Sequence, residues 1–120
     1  MNLNHLNLAV SNVVQTQQLF EKYFGLTAFT STSALAVLAD EKGFTLTLSN
    51  FKKELAVTYP ADFHIGFVQE TQAQVDALYQ RLTSDGFVID APRKFHGSWT
   101  FYWREPGGLL IEVLCFTSAG

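Results

Sequence analysis

The chain has 120 residues, 8 basic and 11 acidic side chains, and a net charge of −3. That length suits one domain with a real core, and 48% hydrophobic against 16% charged residues excludes a disordered chain. A nucleic-acid surface is excluded because the basic doublets Lys52-Lys53 and Arg93-Lys94 make no basic stripe.

The single cysteine, Cys115, rules out an internal disulfide and fits a reducing compartment; in an apolar strand it reads as a small buried hydrophobe. The start lacks the basic and apolar regions of a signal peptide, and no apolar run reaches membrane-spanning length. A cytoplasmic protein without a membrane partner is expected.

Leu3 to Val10 alternates as a strand, with Leu6, Leu8 and Val10 on one face and His5 and Asn7 on the other. Ser11 or Asn12 can cap a helix from Val13 to Phe24, which Gly25 stops. Strands are expected around Leu26–Ser31, Ala34–Ala39 and Phe44–Leu48, with Asp40-Glu41-Lys42-Gly43 as a hairpin turn. Ser49 to Asp62 breaks the pattern, and the Leu55-Ala56-Val57 run within it is too short for independent structure.

The second half repeats the first. Phe63 to Gln69 is a strand candidate, and Thr71 or Gln72 opens a helix to Ser84 on Val75, Leu78, Tyr79 and Leu82. Strands follow at Phe87–Asp90, Ser98–Arg104 and Leu109–Phe116, with Glu105-Pro106-Gly107-Gly108 turning between the last two. The repeat is βαβββ twice, an α+β chain.

Two of the three histidines, His5 and His64, occupy matching places in the two halves, 59 residues apart. Glu112 stands among aliphatics on the last strand, where a carboxylate is costly unless paired or metal-bound. Parity puts all three on faces turned away from the helices, with Thr45, Thr47, Thr100 and Tyr102 able to line the same face. Singly, a strand histidine is usually structural or exposed, and a lone glutamate usually marks a solvent edge. Their coincidence in a repeat points to a divalent metal site. His96, in the Lys94-Phe95-His96-Gly97 loop, reads as solvated. No phosphate-cradling glycine loop, nucleophile elbow or zinc-type cysteine cluster is present.

Leu3–Val10, Phe63–Phe67 and the run Phe101-Tyr102-Trp103-Arg104-Glu105-Pro106-Gly107-Gly108-Leu109-Leu110-Ile111-Glu112-Val113 together resemble the vicinal oxygen chelate superfamily, which includes glyoxalase I, bleomycin-resistance proteins, extradiol dioxygenases and fosfomycin-modifying thiol transferases. The resemblance covers essentially the whole chain. It implies one domain of residues 1–120, with modules 1–50 and 62–120 joined by a linker at 51–61, forming a cup-shaped, partly closed sheet around a divalent ion (Fe, Mn, Zn or Ni). His5, His64 and Glu112 match three ligand positions. The fourth falls on Thr47, where glyoxalase I has a carboxylate, so the pattern is nearer to the fosfomycin-modifying enzymes and the dioxygenases.

Tyr102 matches a tyrosine that reaches substrate, as a hydrogen-bonding or acid/base group, while Asn7, Thr47 and Thr100 would shape the cup. The fosfomycin enzymes carry a basic C-terminal extension, whereas eight residues follow Glu112 here; Arg93 and Lys94 are the basic residues available for anion contacts. The resemblance thus implies a small metal-dependent enzyme acting on an oxygen-chelating small molecule. It also implies a homodimer, with modules exchanged between chains in some relatives. The alternative is a metal-free, drug-sequestering binding protein.

Overall fold

The structure, a computed structural model, describes residues 1–54 and 56–116. Leu55 of the Leu55-Ala56-Val57 run and residues 117–120 of the second module lie outside the described residues. The fold is α+β, and contacts divide it into two compact units, Met1–Thr58 and Tyr59–Gly120.

Unit 1 runs β1 (His5–Ala9), α1 (Val13–Phe24), β2 (Thr27–Ser31), β3 (Leu35–Ala39) and β4 (Thr45–Ser49). Unit 2 repeats the order with β5 (His64–Val68), α2 (Gln72–Ser84), β6 (Arg93–Phe95), β7 (Ser98–Arg104) and β8 (Leu110–Phe116). Each unit forms one open mixed sheet, ordered β1-β4-β3-β2 and β5-β8-β7-β6. In each, the first strand lies parallel to the last and the other pairings are antiparallel. No helix among the described residues is long and apolar enough to cross a membrane.

The helices begin and end on local chemistry. Asn12 caps α1 by accepting from the Gln15 N–H at 3.0 Å, and Gly25 ends it at φ 68°, a left-handed conformation that glycine adopts without steric penalty. Thr71 caps α2 through a full capping box with Gln74. Asp40 ties the β3–β4 turn by accepting from the N–H groups of Lys42 and Phe44 at 2.9 and 2.8 Å.

The inward faces then fix the registers. Leu8, Ala36, Leu38, Leu46 and Leu48 are buried in unit 1 with Val13, Leu19 and Phe20 of α1. Phe101, Trp103, Ile111, Val113 and Cys115 are buried in unit 2 with Val75, Leu78 and Leu82 of α2. Each large side chain contributes about 1.5–3 kcal/mol when fully buried, and a one-residue slip would turn a whole set outward. The opposite faces are thereby fixed as well.

The expected strand at Phe87–Asp90 does not form. The Phe87 N–H is used to close α2, donating to the Leu82 carbonyl at 3.1 Å, and its ring packs 4.9 Å from Trp103. Pairing starts only after Pro92, which has no N–H to give, so the third strand of unit 2 is Arg93–Phe95. It reverses into β7 through His96 and Gly97, both at positive φ (51° and 75°), as a two-residue hairpin loop requires. His96 is exposed, as expected, with its ring 4.0 Å from that of Phe95.

The β7–β8 turn is built on a buried carboxylate. Glu105 is 5% exposed; its two oxygens accept from the N–H groups of Gly107 and Leu109, both at 2.8 Å. A Cβ at Gly107 would stand 2.8 Å from Glu105 Oε1, so any other residue there would have to displace this carboxylate. Glu105→Gln replaces one acceptor with an NH₂ facing a backbone N–H. A loss of about 1–3 kcal/mol is expected in urea unfolding, against less than about 0.5 kcal/mol for Glu41→Gln in the exposed β3–β4 turn.

Candidate metal and substrate site

Strand register assembles a group on the face of the second sheet opposite α2. His64, Gly66 and Val68 of β5 lie beside Leu110, Glu112 and Leu114 of β8, and Glu112 lies beside Tyr102 of β7. The Tyr102 hydroxyl donates to Glu112 Oε2 at 3.0 Å. Glu112 Oε1 is 3.4 Å from His64 Nε2, and the His64 ring meets Tyr102 edge-on at 6.1 Å. Gly66 lies directly across from Glu112, and a Cβ there would meet Oε1 at 4.0 Å, an ordinary contact distance.

The imidazole is held by its other nitrogen. His64 Nδ1 lies 2.9 Å from the Asp62 carbonyl, which only accepts, so Nδ1 carries the hydrogen and Nε2 of the neutral ring presents a lone pair. That lone pair faces a carboxylate oxygen across a gap longer than the ~2.7–2.9 Å of a charge-assisted hydrogen bond. Two acceptors so placed repel unless a cation, proton or metal, lies between them. Two ligands about 2.0–2.2 Å from one ion are about 2.8–3.6 Å apart in octahedral or tetrahedral coordination. The spacing and the N,O donor set therefore fit a divalent ion. The pair is open to solutes, with His64 41% and Glu112 17% exposed.

In unit 1, His5 opens β1 as His64 opens β5, and its Nδ1 is likewise tied to an acceptor, Asn4 Oδ1 at 2.8 Å. The parallel registers make the repeat explicit. Asn7 stands beside Thr47 where Gly66 stands beside Glu112, so Thr47 holds in the first sheet the place of Glu112 in the second. Asn7 is exposed and Thr47 half-buried. Among the described residues no three His, Cys, Asp or Glu side chains form a group able to hold a metal ion; unit 2 by itself brings together a pair, His64 and Glu112, with Tyr102. Thr100 shares their face but is 1% exposed, its hydroxyl 2.6 Å from Ser98 Oγ, and does not reach the group.

The sequence left Gly66 and Asp62 without assigned places here, and offered Arg93 together with Lys94 only for anion contacts. For the first two the signal was faint: a glycine at the pleat position facing a lone acid, and a carbonyl two residues before a histidine. Arg93 enters through β6, where its charge opposes that of Glu112 on the phenol. Tyr102 is raised above its ordinary 10.0, first by burial, then by its hydrogen bond to Glu112 and the charge of that carboxylate, while Arg93 lowers it. Tyr102 is thus a neutral donor at physiological pH.

A model of the Glyoxalase/Bleomycin resistance protein/Dioxygenase superfamily matches residues 2–113. Among solved structures, one described as a possible glyoxalase from Bacillus cereus is 47% identical with a TM-score of 0.86, over 96% of this chain and 99% of that one. A lactoylglutathione lyase from Agrobacterium tumefaciens shares the fold at 16% identity and TM-score 0.75, covering 95% and 92% of the two chains. The fosfomycin resistance protein FosX from Listeria monocytogenes does so at 20% and 0.75, covering 98% and 95%. A search of curated proteins gives no match.

The tyrosine shift yields a signed expectation. The stability contributed by protonated Tyr102 is complete below 10.0 and is lost as pH climbs through the higher folded value. In ultraviolet absorbance titration, with Tyr102→Phe as the blank, Glu112→Gln moves the phenol to lower pH and Arg93→Gln moves it to higher pH. Unmoved curves would show that neither charge reaches the ring.

Proposed function

This chain belongs to the glyoxalase/bleomycin resistance protein/dioxygenase superfamily, and from that premise we propose that it is a small metal-dependent enzyme acting on an oxygen-chelating small molecule. The observation that carries the proposal is the His64 Nε2 lone pair facing Glu112 Oε1 at 3.4 Å, with Nδ1 tied to the Asp62 carbonyl. His64 and Glu112 are two ligands in this reading. His5, the counterpart of His64 with its own Nδ1 tied down, is the third. Thr47 in the fourth place leaves coordination positions for substrate and departs from a four-ligand site. The solved relatives support the enzyme class: one is a lactoylglutathione lyase by name and another a fosfomycin resistance protein.

A bound divalent ion (Fe, Mn, Zn or Ni) supplies Lewis acidity toward paired substrate oxygens. The chain's own residues do the rest. Tyr102 fixes the Glu112 carboxylate through Oε2, leaving Oε1 free as a ligand. Its hydroxyl has one proton, given to Glu112 Oε2 in this structure; turned from that carboxylate toward a substrate oxygen it becomes the hydrogen-bonding or acid/base group, and it is the catalytic side chain of the proposal. Asn7 and Thr47 offer polar contacts to substrate, and Thr100 supports β7 from within. The working form proposed is a cytoplasmic homodimer in which residues 1–120 act as one domain.

Metal analysis of protein purified without chelator or immobilised metal tests this directly. We expect near-stoichiometric metal. Added metal at about a hundred times its Kd should stabilise by about 2.7 kcal/mol, a gain abolished by EDTA and absent in His64→Ala and Glu112→Gln. Metal-free protein whose stability ignores added metal in all three forms would overturn the reading, and small-molecule binding indifferent to EDTA would favour sequestration instead.

A further inference from the structure

We propose that Arg93 is a specificity-determining residue of this site, binding an oxyanion group (carboxylate or phosphate) of a small acidic substrate whose reacting oxygens lie toward His64 and Glu112. The proposal rests on the functional reading above and names its substrate class. The register carries it first. Arg93 of β6 partners Thr100 of β7, so its side chain leaves the sheet on the face that carries Tyr102 and Glu112. Lys94 partners Trp99, whose indole donates to Asp76 of α2 at 2.8 Å, and so belongs to the opposite face. Of the two basic residues, only Arg93 stands on the site's side.

The guanidinium is held but not used. Its carbon lies 4.9 Å from the centroid of the Phe95 ring, and Phe95 in turn meets Tyr102 edge-on at 6.2 Å. The cation thus sits over the face of an aromatic ring, and a guanidinium carries the N–H fork suited to a two-pronged grip on a planar or tetrahedral oxyanion. Among the described residues, the Arg93 side chain makes no hydrogen bond or ion pair, in a chain where acids outnumber bases by 11 to 8. Arg104, by contrast, donates to the Gly108 carbonyl at 3.0 Å. The side chains thus form a row, Arg93, Phe95, Tyr102, Glu112, His64, with a cation at one end and the ligand pair at the other. A ligand lying along it would place an anionic group on Arg93, an apolar segment on Phe95 and oxygens at the far end.

Calorimetric titration of EDTA-treated protein with sodium phosphate, benzoate and benzyl alcohol tests the assignment in wild type, Arg93→Gln, Arg93→Lys and His64→Ala. At least one anion should bind wild type and His64→Ala alike and bind Arg93→Gln about tenfold more weakly, as expected on losing a charge-assisted pair. Arg93→Lys should fall between, because it keeps the charge but loses the fork. Benzyl alcohol, which keeps the ring and lacks the charge, should bind far more weakly than benzoate. The tighter of the two anions identifies the substrate group. Three results would overturn the proposal: no anion binding by wild type, equal affinity in folded Arg93→Gln, or a loss in His64→Ala matching that in Arg93→Gln. Because the titrations are run without metal, a failure of the metal reading would appear in the stability measurements and leave these affinities unchanged.

Discussion

Two hydrogen-bond acceptors facing each other across a solvent-accessible gap are an unstable arrangement, and the second unit is organised to keep it in place. The Asp62 carbonyl takes the Nδ1 hydrogen of His64, so Nε2 carries a hydrogen toward the carboxylate only when the ring binds a second proton. Tyr102 occupies the distal oxygen of Glu112. Gly66, across from Glu112, offers the carboxylate no side chain to bond. Each removes a way of relaxing the repulsion, and what remains is to place a positive charge between the two.

The rigidity behind the pair comes from the other side of the sheet. Ile111 and Val113 flank Glu112 and are wholly buried, as is Phe101 beside Tyr102. The chain reversal joining their strands is fastened by the Glu105 carboxylate, whose two N–H bonds set where β8 begins relative to β7. An offset of one residue at that reversal would carry Glu112 to the buried face and separate it from Tyr102. A buried acid far along the turn therefore governs the geometry of an accessible one.

Much of this was legible in the residues. Both helices are bounded where their caps predict, because Asn12, Gly25 and the Thr71–Gln74 pair act within a few residues of themselves. The parity of His64 and Glu112 followed from strict alternation on strands with one apolar face. The third strand of unit 2 was not legible. Phe87 and Val88 look like strand residues, yet Phe87 is claimed by the helix end and Trp103, a tertiary contact that no local pattern announces. With that strand misplaced, Arg93 and Lys94 could not be sorted between faces. Glu105 was readable as part of a turn but not as its buried fastening, since the donors it satisfies are backbone N–H groups common to any sequence.

The pairing of Asn7 with Thr47 and of Gly66 with Glu112 shows where the two halves of the repeat differ. Only the half that carries the long acid has a bare backbone as its cross-strand neighbour. A carboxylate grafted onto the first half by Thr47→Glu would instead stand beside the amide of Asn7, which can donate to it. The same acid would then sit in two different polar settings, one in each half.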